Sequence, residues 1–179
     1  MAWRQIVVWV ICLATQFQPG ASGQVAAERL DRAEHSSSQD VGPVNIDPDG
    51  KFASVLSTYN LFRDARRQIP NEGVIPYELS TPHFADYATL HRFVWIPKGQ
   101  SCQYGPQGEL HYPLGSAIIL TVGYLDDMRT PERGEQIVET RLWIRSPAGW
   151  VGAQYVWNDD TSEARLSVVG KKVDVAWVH

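Results

Sequence analysis

The spacing of apolar residues changes near Val74, from a helical pattern to a strand-like one. Before this point, apolar residues recur at the intervals of one helix face, at Phe52, Val55, Leu56, Tyr59 and Phe62. Because proline cannot continue a helix, this pattern predicts a short N-terminal helix that ends before Pro70.

After Val74, short runs of β-branched and aromatic residues alternate with Pro and Gly. These runs are the candidate strands Arg92–Ile96, Ile118–Tyr124, Gln136–Arg145, Trp150–Trp157, Ala164–Val169 and Val173–Val178. Turn residues separate them, among them Gly105-Pro106-Gln107-Gly108 and Ser146-Pro147-Ala148-Gly149. Closely spaced strands without helices between them predict a mostly β fold, an antiparallel sandwich or half-barrel, preceded by the short helix.

The N-terminal residues have the pattern of a secretory signal peptide. Arg4 precedes the apolar run Ile6–Ala14, which is too short to span a bilayer, and small residues end the segment at Gly23. We therefore expect a signal peptide over residues 1–23 and a secreted or periplasmic protein, with an uncleaved anchor as the alternative. Residues 24–47 are polar and lack periodicity, which predicts a flexible linker before a single β-rich domain over residues 48–179.

Residues 45–50 (NIDPDG) have the oxygen-bearing side chains and the glycine that begin a calcium-binding loop. Such a loop needs a bidentate carboxylate at its twelfth position, where this chain has Leu56. The stretch is therefore interpreted as an Asp/Gly turn, and no metal is expected there.

Composition narrows the class of protein further. The 179 residues suit one domain, and 44% hydrophobic and 20% charged residues are typical of globular proteins. The formal net charge is −4 and no basic face is present, so nucleic acid is not an expected partner. Cleavage of the signal would leave Cys102 as the one cysteine, which excludes an intramolecular disulfide.

The turn Ser146–Gly149 allows two registers for the strands on either side of it. A flush hairpin pairs Arg145 with Trp150 and places apolar residues together on the other face. Pro followed by Gly instead favours a three-residue loop with a bulge, which turns the second strand over. Segregation of apolar residues favours the first register and turn chemistry favours the second.

Aromatic and cationic residues cluster in this hairpin and form a candidate contact face. Its residues are Arg141, Trp143, Arg145, Trp150 and Tyr155. Such a face can stack on a sugar ring or another planar ligand, or pack against a partner chain. The alternative is that the tryptophans belong to the core, with their indole N–H groups hydrogen-bonded locally.

Catalytic signals are weak, and no catalytic residue is assigned. His83, Asp86 and His91 supply nitrogen and oxygen atoms that can hold a metal, but surface and hydrogen-bonding roles are preferred. Asp126, Asp127, Glu132 and Glu135 lie in one acidic loop, and paired carboxylates serve glycoside hydrolysis. The preferred interpretation is a solvated loop that carries its own Arg129 and Arg133.

The chain resembles one protein family in residues 73–99 (GVIPYELSTPHFADYATLHRFVWIPKG), 111–124 (HYPLGSAIILTVGY) and 137–166 (IVETRLWIRSPAGWVGAQYVWNDDTSEARL). This is a poorly characterised family of secreted bacterial proteins, many of them described as periplasmic di-haem c-type cytochromes. Some relatives carry the same region beside a sugar-dehydrogenase-like β-propeller. The resemblance covers roughly residues 55–178 and implies a haem-free N-terminal β-domain.

The family's cytochromes attach haem through C-x-x-C-H motifs, expected C-terminal to this region, and this chain contains none. No haem role therefore passes to any residue here, and no cofactor is expected. The leading hypothesis is a secreted, non-catalytic binding or docking domain, associated by resemblance with periplasmic redox proteins. Its partner would be such a redox protein, or a small planar or sugar ligand. The alternatives are a metal-assisted or acid/base hydrolase, and a truncated cytochrome without independent function.

Overall fold

Alternating apolar and polar residues build a central antiparallel sheet in the computed structural model, which describes residues 41–82, 84–169, 172–175 and 178. The strands are β1 (Phe62–Asp64), β2 (Ile69–Pro70), β3 (Val74–Pro76), β4 (Thr89–Trp95), β5 (Gln103–Tyr104), β6 (Leu110–His111), β7 (Ala117–Leu125), β8 (Glu135–Ser146), β9 (Gly149–Trp157) and β10 (Ala164–Ser167). The central sheet has six strands in the order β10-β9-β8-β7-β4-β3, and the pairs β1-β2 and β5-β6 form two small sheets. The predicted mostly β, antiparallel fold is confirmed.

One face of the central sheet carries the main core. Ile119, Leu142 and Ile144 are fully buried there, and neighbouring strands add Phe93 and Tyr155. The second layer over this face is the segment that precedes β1, together with β1 itself, rather than another large sheet. Its apolar residues in the cluster are Val44, Ile46, Phe52, Leu56, Tyr59, Leu61 and Phe62.

This N-terminal layer differs from the prediction in two places. The predicted helix is a single 3-10 turn, Leu56–Tyr59, which ends because Asn60 adopts a left-handed conformation with φ 53°. Phe62, predicted to be helical, begins strand β1. Val44 and Ile46, assigned to the flexible linker, pack against the core, so the ordered domain begins before residue 48. The turn at Asp47–Gly50 forms as predicted, with the Gly50 N–H donating to the Asp47 carbonyl at 3.0 Å.

The opposite face of the sheet carries a smaller apolar cluster at one end. A bulge between β7 and β8 leaves Val138 without a partner in the strand pairing and turns it toward this face. Val138 packs there with Tyr124 and with Val175 from the C-terminal segment. The predicted strand Val173–Val178 is not formed by its described residues, since residues 172–175 are irregular and Val178 makes an isolated bridge to Asp127.

The helical turns of the described residues are short. None of them has the length and apolar character that a bilayer-spanning helix requires.

Candidate functional site

The β8–β9 hairpin adopts the flush register. Ser146 pairs with Gly149, Arg145 with Trp150 and Trp143 with Gly152, so Pro147 and Ala148 alone form the loop. Gly149 has φ 118°, a value that side-chain-bearing residues avoid, and this lets the chain turn without the bulge. The Ser146 hydroxyl donates to the Gly149 carbonyl at 3.0 Å and closes the turn.

This register separates the five predicted contact residues. Arg141, Trp143, Arg145 and Trp150 share the face opposite the main core, because they alternate with the buried residues of their strands. Tyr155 lies on the core face instead and is fully buried. Tyr155 is therefore not part of the contact face, and the bulged register that would have placed it there does not form.

A closed ring of hydrogen bonds holds Tyr155 in the core. The Ala53 N–H donates to the Tyr59 hydroxyl at 2.7 Å, and the Tyr155 hydroxyl donates to the Ala53 carbonyl at 2.9 Å. The two hydroxyls lie 2.8 Å apart, and since the Tyr155 proton is already used, Tyr59 is the donor between them. Burial raises the pKa of Tyr155 above its ordinary value. The ring joins the N-terminal layer to β9.

Trp143 is only partly available for contact. Its indole lies over Gly152, where an added Cβ would come within 2.9 Å of ring atoms Cδ1 and Nε1. An aromatic ring that covers a cross-strand glycine protects the backbone there. One face of the Trp143 ring is therefore occupied within the hairpin.

Arg141 forms a salt bridge with Glu139. Its Nε donates to the Glu139 carboxylate at 2.7 Å, and the Gln154 amide donates to the other oxygen of that carboxylate. Glu139 is itself buried. A charge pair of this kind satisfies Arg141 without an external ligand.

Trp150 and Arg145 line a cleft at the tip of the hairpin. The cleft has a volume of about 320 Å³ and is lined by Leu110, His111, Tyr112, Arg145, Gly149 and Trp150; we call it the hairpin cleft. Trp150 is 41% exposed and meets Tyr112 edge to face, with ring centroids 5.4 Å apart. The cleft thus combines an accessible indole, a phenol and a guanidinium.

Arg145 and His111, the two basic residues that line the cleft, differ in whether a carboxylate lies beside them. Arg145 donates to the Ser146 carbonyl at 2.9 Å, and no carboxylate of the described residues lies within ion-pair distance of it. His111, by contrast, has Glu109 at 3.2 Å. The Arg145 guanidinium therefore lines the cleft without a carboxylate partner in the described part of the chain.

Sequence reasoning missed the residues of β6 and Tyr112. The sequence predicts the turn Gly105–Gly108, but strands as short as β5 and β6 show no periodicity.

Burial raises the pKa of the Tyr112 phenol, and proximity to Cys102 adds to the effect. Burial also raises the pKa of the Cys102 thiol, which favours its neutral form. Of these two groups, the Tyr112 phenol lines the cleft together with Arg145.

One residue from each of the two weaker catalytic candidates, His91 and Glu135, makes a direct contact. His91 on β4 lies 2.9 Å from the Glu135 carboxylate at the start of β8, and Thr89 donates to the same carboxylate. Burial opposes ionisation of Glu135, but the bonds from His91 and Thr89 outweigh it and hold the pKa of Glu135 below its ordinary value. His83 lies outside the described residues, which contain no group of three or more potential metal ligands.

Asp127 of the acidic loop is neutralised by two arginines of the same loop. Arg129 donates to the two carboxylate oxygens of Asp127, from Nε at 3.0 Å and from a terminal nitrogen at 2.9 Å. A terminal nitrogen of Arg133 lies 3.5 Å from the same carboxylate. The hydrogen bonds from Arg129 hold the pKa of Asp127 well below its ordinary value. An anion fixed in this way stabilises a loop and is a poor proton donor or acceptor.

Comparison of the chain with protein-family models, with curated proteins and with solved structures finds no match.

Proposed function

We propose that this domain is a non-catalytic binding module and that the hairpin cleft is its contact site. The observation that carries the proposal is the position of Trp150, which stands 41% exposed in a concave site directly opposite Arg145. An accessible aromatic beside a cation is the usual make-up of a binding hot spot. Concave sites with a few polar groups are also where small ligands bind.

The exposed area of Trp150 and the free donors of Arg145 set the affinity to expect at this site. A tryptophan side chain has roughly 250 Å² of surface, so the exposed part is about 100 Å², and covering it contributes about 2.5 kcal/mol. A charge-assisted hydrogen bond from Arg145 adds about 1.5–3 kcal/mol. Together these terms reach about 4–5.5 kcal/mol, which corresponds to a Kd of roughly 0.1–1 mM and to a weak, reversible binder rather than a permanent assembly.

The sequence supports a cellular location and a class of partner for this binding module. The signal-like N-terminus supports a secreted or periplasmic location, and the family resemblance supports a periplasmic redox protein as the physiological neighbour. The ligand of the cleft would then be a small planar or sugar molecule handled by the same system. Electron transfer is assigned to no residue of this chain.

A thermal-shift screen tests the proposal. The wild-type domain and the Trp150→Ala variant would be heated with a panel of sugars, sugar acids, aromatic acids and quinones. A ligand at about 100 times its Kd stabilises by about 2.7 kcal/mol, which raises the Tm of a domain of this size by roughly 9 °C. We expect at least one compound to raise the Tm of the wild type only. No rise with any compound, or an equal rise in Trp150→Ala, would reject the cleft as a binding site.

A second candidate function rests on the 2.9 Å contact between His91 and Glu135. A histidine oriented by a carboxylate is a general-base arrangement, so this pair supports an acid/base hydrolase. Hydrolysis of chromogenic esters and glycosides would be compared between the wild type and His91→Gln. Activity that disappears in His91→Gln supports the hydrolase, and wild-type rates equal to buffer remove it.

A further inference from the structure

We infer that the hairpin cleft selects a single six-membered ring that carries one carboxylate. This inference rests on the proposed function and specifies the ligand of the same site. A sugar acid such as a glucuronide and an aromatic acid such as benzoate share this chemistry. The selection follows from the charge, the shape and the spacing of the cleft residues.

The negative charge of the ligand follows from the charge balance of the cleft. Arg145 has no carboxylate within ion-pair distance among the described residues, whereas the nearby Arg141 is held by Glu139. A guanidinium presents parallel N–H groups that match a carboxylate, and one of its terminal nitrogens is already used by the Ser146 carbonyl. The remaining donors can hold a single carboxylate.

Long-range charge also favours a monoanion. The chain has a formal net charge of −4, and Glu109 stands beside His111 at the cleft. A polyanion such as a phosphorylated or sulfated sugar would be repelled by this field, with one arginine to compensate. A single carboxylate loses little to repulsion and gains the full contact with Arg145.

The preference for a ligand with a six-membered ring follows from Trp150 and the residues around it. The exposed indole offers an apolar surface, Tyr112 meets that indole edge to face, and Leu110 adds aliphatic surface. Flat rings and the C–H faces of sugars both lie well on such a surface. An open-chain acid of the same charge would leave much of Trp150 uncovered.

Distance and volume fix how the ring and the carboxylate are joined. Arg145 and Trp150 are directly opposite in an antiparallel pair, where Cβ atoms lie about 5 Å apart. A ring on Trp150 therefore reaches Arg145 with a carboxylate attached to the ring itself. The volume of about 320 Å³ is near the lower limit for ligand sites, which suits one ring rather than a chain of rings.

Four probes in two matched pairs test the inference: methyl glucuronide against methyl glucoside, and benzoate against benzyl alcohol. Each probe would be titrated into 15N-labelled domain up to about 10 mM, and shifts of the Trp150 indole and Arg145 side-chain signals would give Kd. We expect at least one acid of the two pairs to bind about tenfold or more tightly than its neutral partner, since that is the effect of one charged hydrogen bond.

Variants separate the charge from the ring. Arg145→Gln should remove the preference for the acid, Arg145→Lys should keep part of it, and Trp150→Ala should weaken acid and neutral probe alike. Arg165→Gln is the matched control for charge, because Arg165 is exposed on edge strand β10 and does not line the cleft. Phe84→Ala is the matched control for the aromatic, because Phe84 is 72% exposed and is not a lining residue.

Each outcome decides the inference. Preference for glucuronide or for benzoate, lost in Arg145→Gln and kept in Arg165→Gln, supports it and identifies the source of the ring. Equal binding of acid and neutral probe at Trp150 overturns it while leaving the binding module intact. Absence of any shift with all four probes also overturns it, and the broader thermal-shift screen then decides the proposed function separately.

Discussion

The ring of hydrogen bonds between Ala53, Tyr59 and Tyr155 makes a quantitative prediction about stability. Tyr155→Phe removes the bond to the Ala53 carbonyl and the bond from Tyr59. Tyr59→Phe removes the bond from the Ala53 N–H and the same bond to Tyr155. At about 1 kcal/mol net for each bond, each single variant loses about 2 kcal/mol of unfolding free energy.

The double variant tests whether the ring is continuous. Tyr59→Phe/Tyr155→Phe removes the whole ring, whose shared bond is counted twice when the single variants are added. The double variant should therefore lose about 3 kcal/mol, about 1 kcal/mol less than the sum of the single variants. Urea denaturation followed by circular dichroism measures all of these values, provided that the m-value stays unchanged.

Tyr104→Phe is the matched control, because Tyr104 is 69% exposed and its hydroxyl is not held in the core. It should change the unfolding free energy by less than about 0.5 kcal/mol. Strict additivity of the two core variants would show that the two hydroxyls do not interact. A loss below about 0.5 kcal/mol in Tyr155→Phe would refute the closed ring altogether. Ligand affinity at the hairpin cleft should be unchanged in Tyr155→Phe.

Other substitutions test the remaining parts of the sheet. Trp157→Ala should cost about 3–5 kcal/mol because the ring is buried, whereas Trp150→Ala, at the exposed cleft, should cost about 1 kcal/mol or less; urea denaturation compares them. The lowered pKa of Glu135 means that the unfolded chain binds more protons, so the stabilisation is present above the ordinary value of 4.5 and is lost as pH falls through the folded-state pKa. The stability difference between wild type and Glu135→Gln should therefore shrink on acidification. Gly152→Ala should displace the Trp143 indole, visible as a shift of its N–H resonance, and an unmoved resonance would contradict the contact.

The larger strands could be predicted from sequence because each has enough residues to show alternation. The predicted Ile118–Tyr124 corresponds to β7, and Trp150–Trp157 corresponds closely to β9. Two-residue strands such as β6 carry no such pattern, and so Leu110 and Tyr112 were not assigned to the site. The contact between His91 and Glu135 was also missed, since it joins residues far apart in sequence that only strand pairing brings together.

The register of the hairpin shows why local turn chemistry was not decisive. A shift by one residue would turn β9 over, exposing Tyr155 and Trp157 and directing Gln154 into the core. Loss of the burial of two aromatic side chains costs several kcal/mol, and the Ala53 groups would lose their partners as well. Register is strongly specified wherever one face of a strand is buried, so the core rather than the turn determines it here. The same register leaves Trp150 and Arg145 side by side on the open face. The hairpin cleft therefore exists because the opposite face of the same strands is packed, and substitutions that loosen Tyr155 enough to shift the register would abolish the cleft without altering any of its residues.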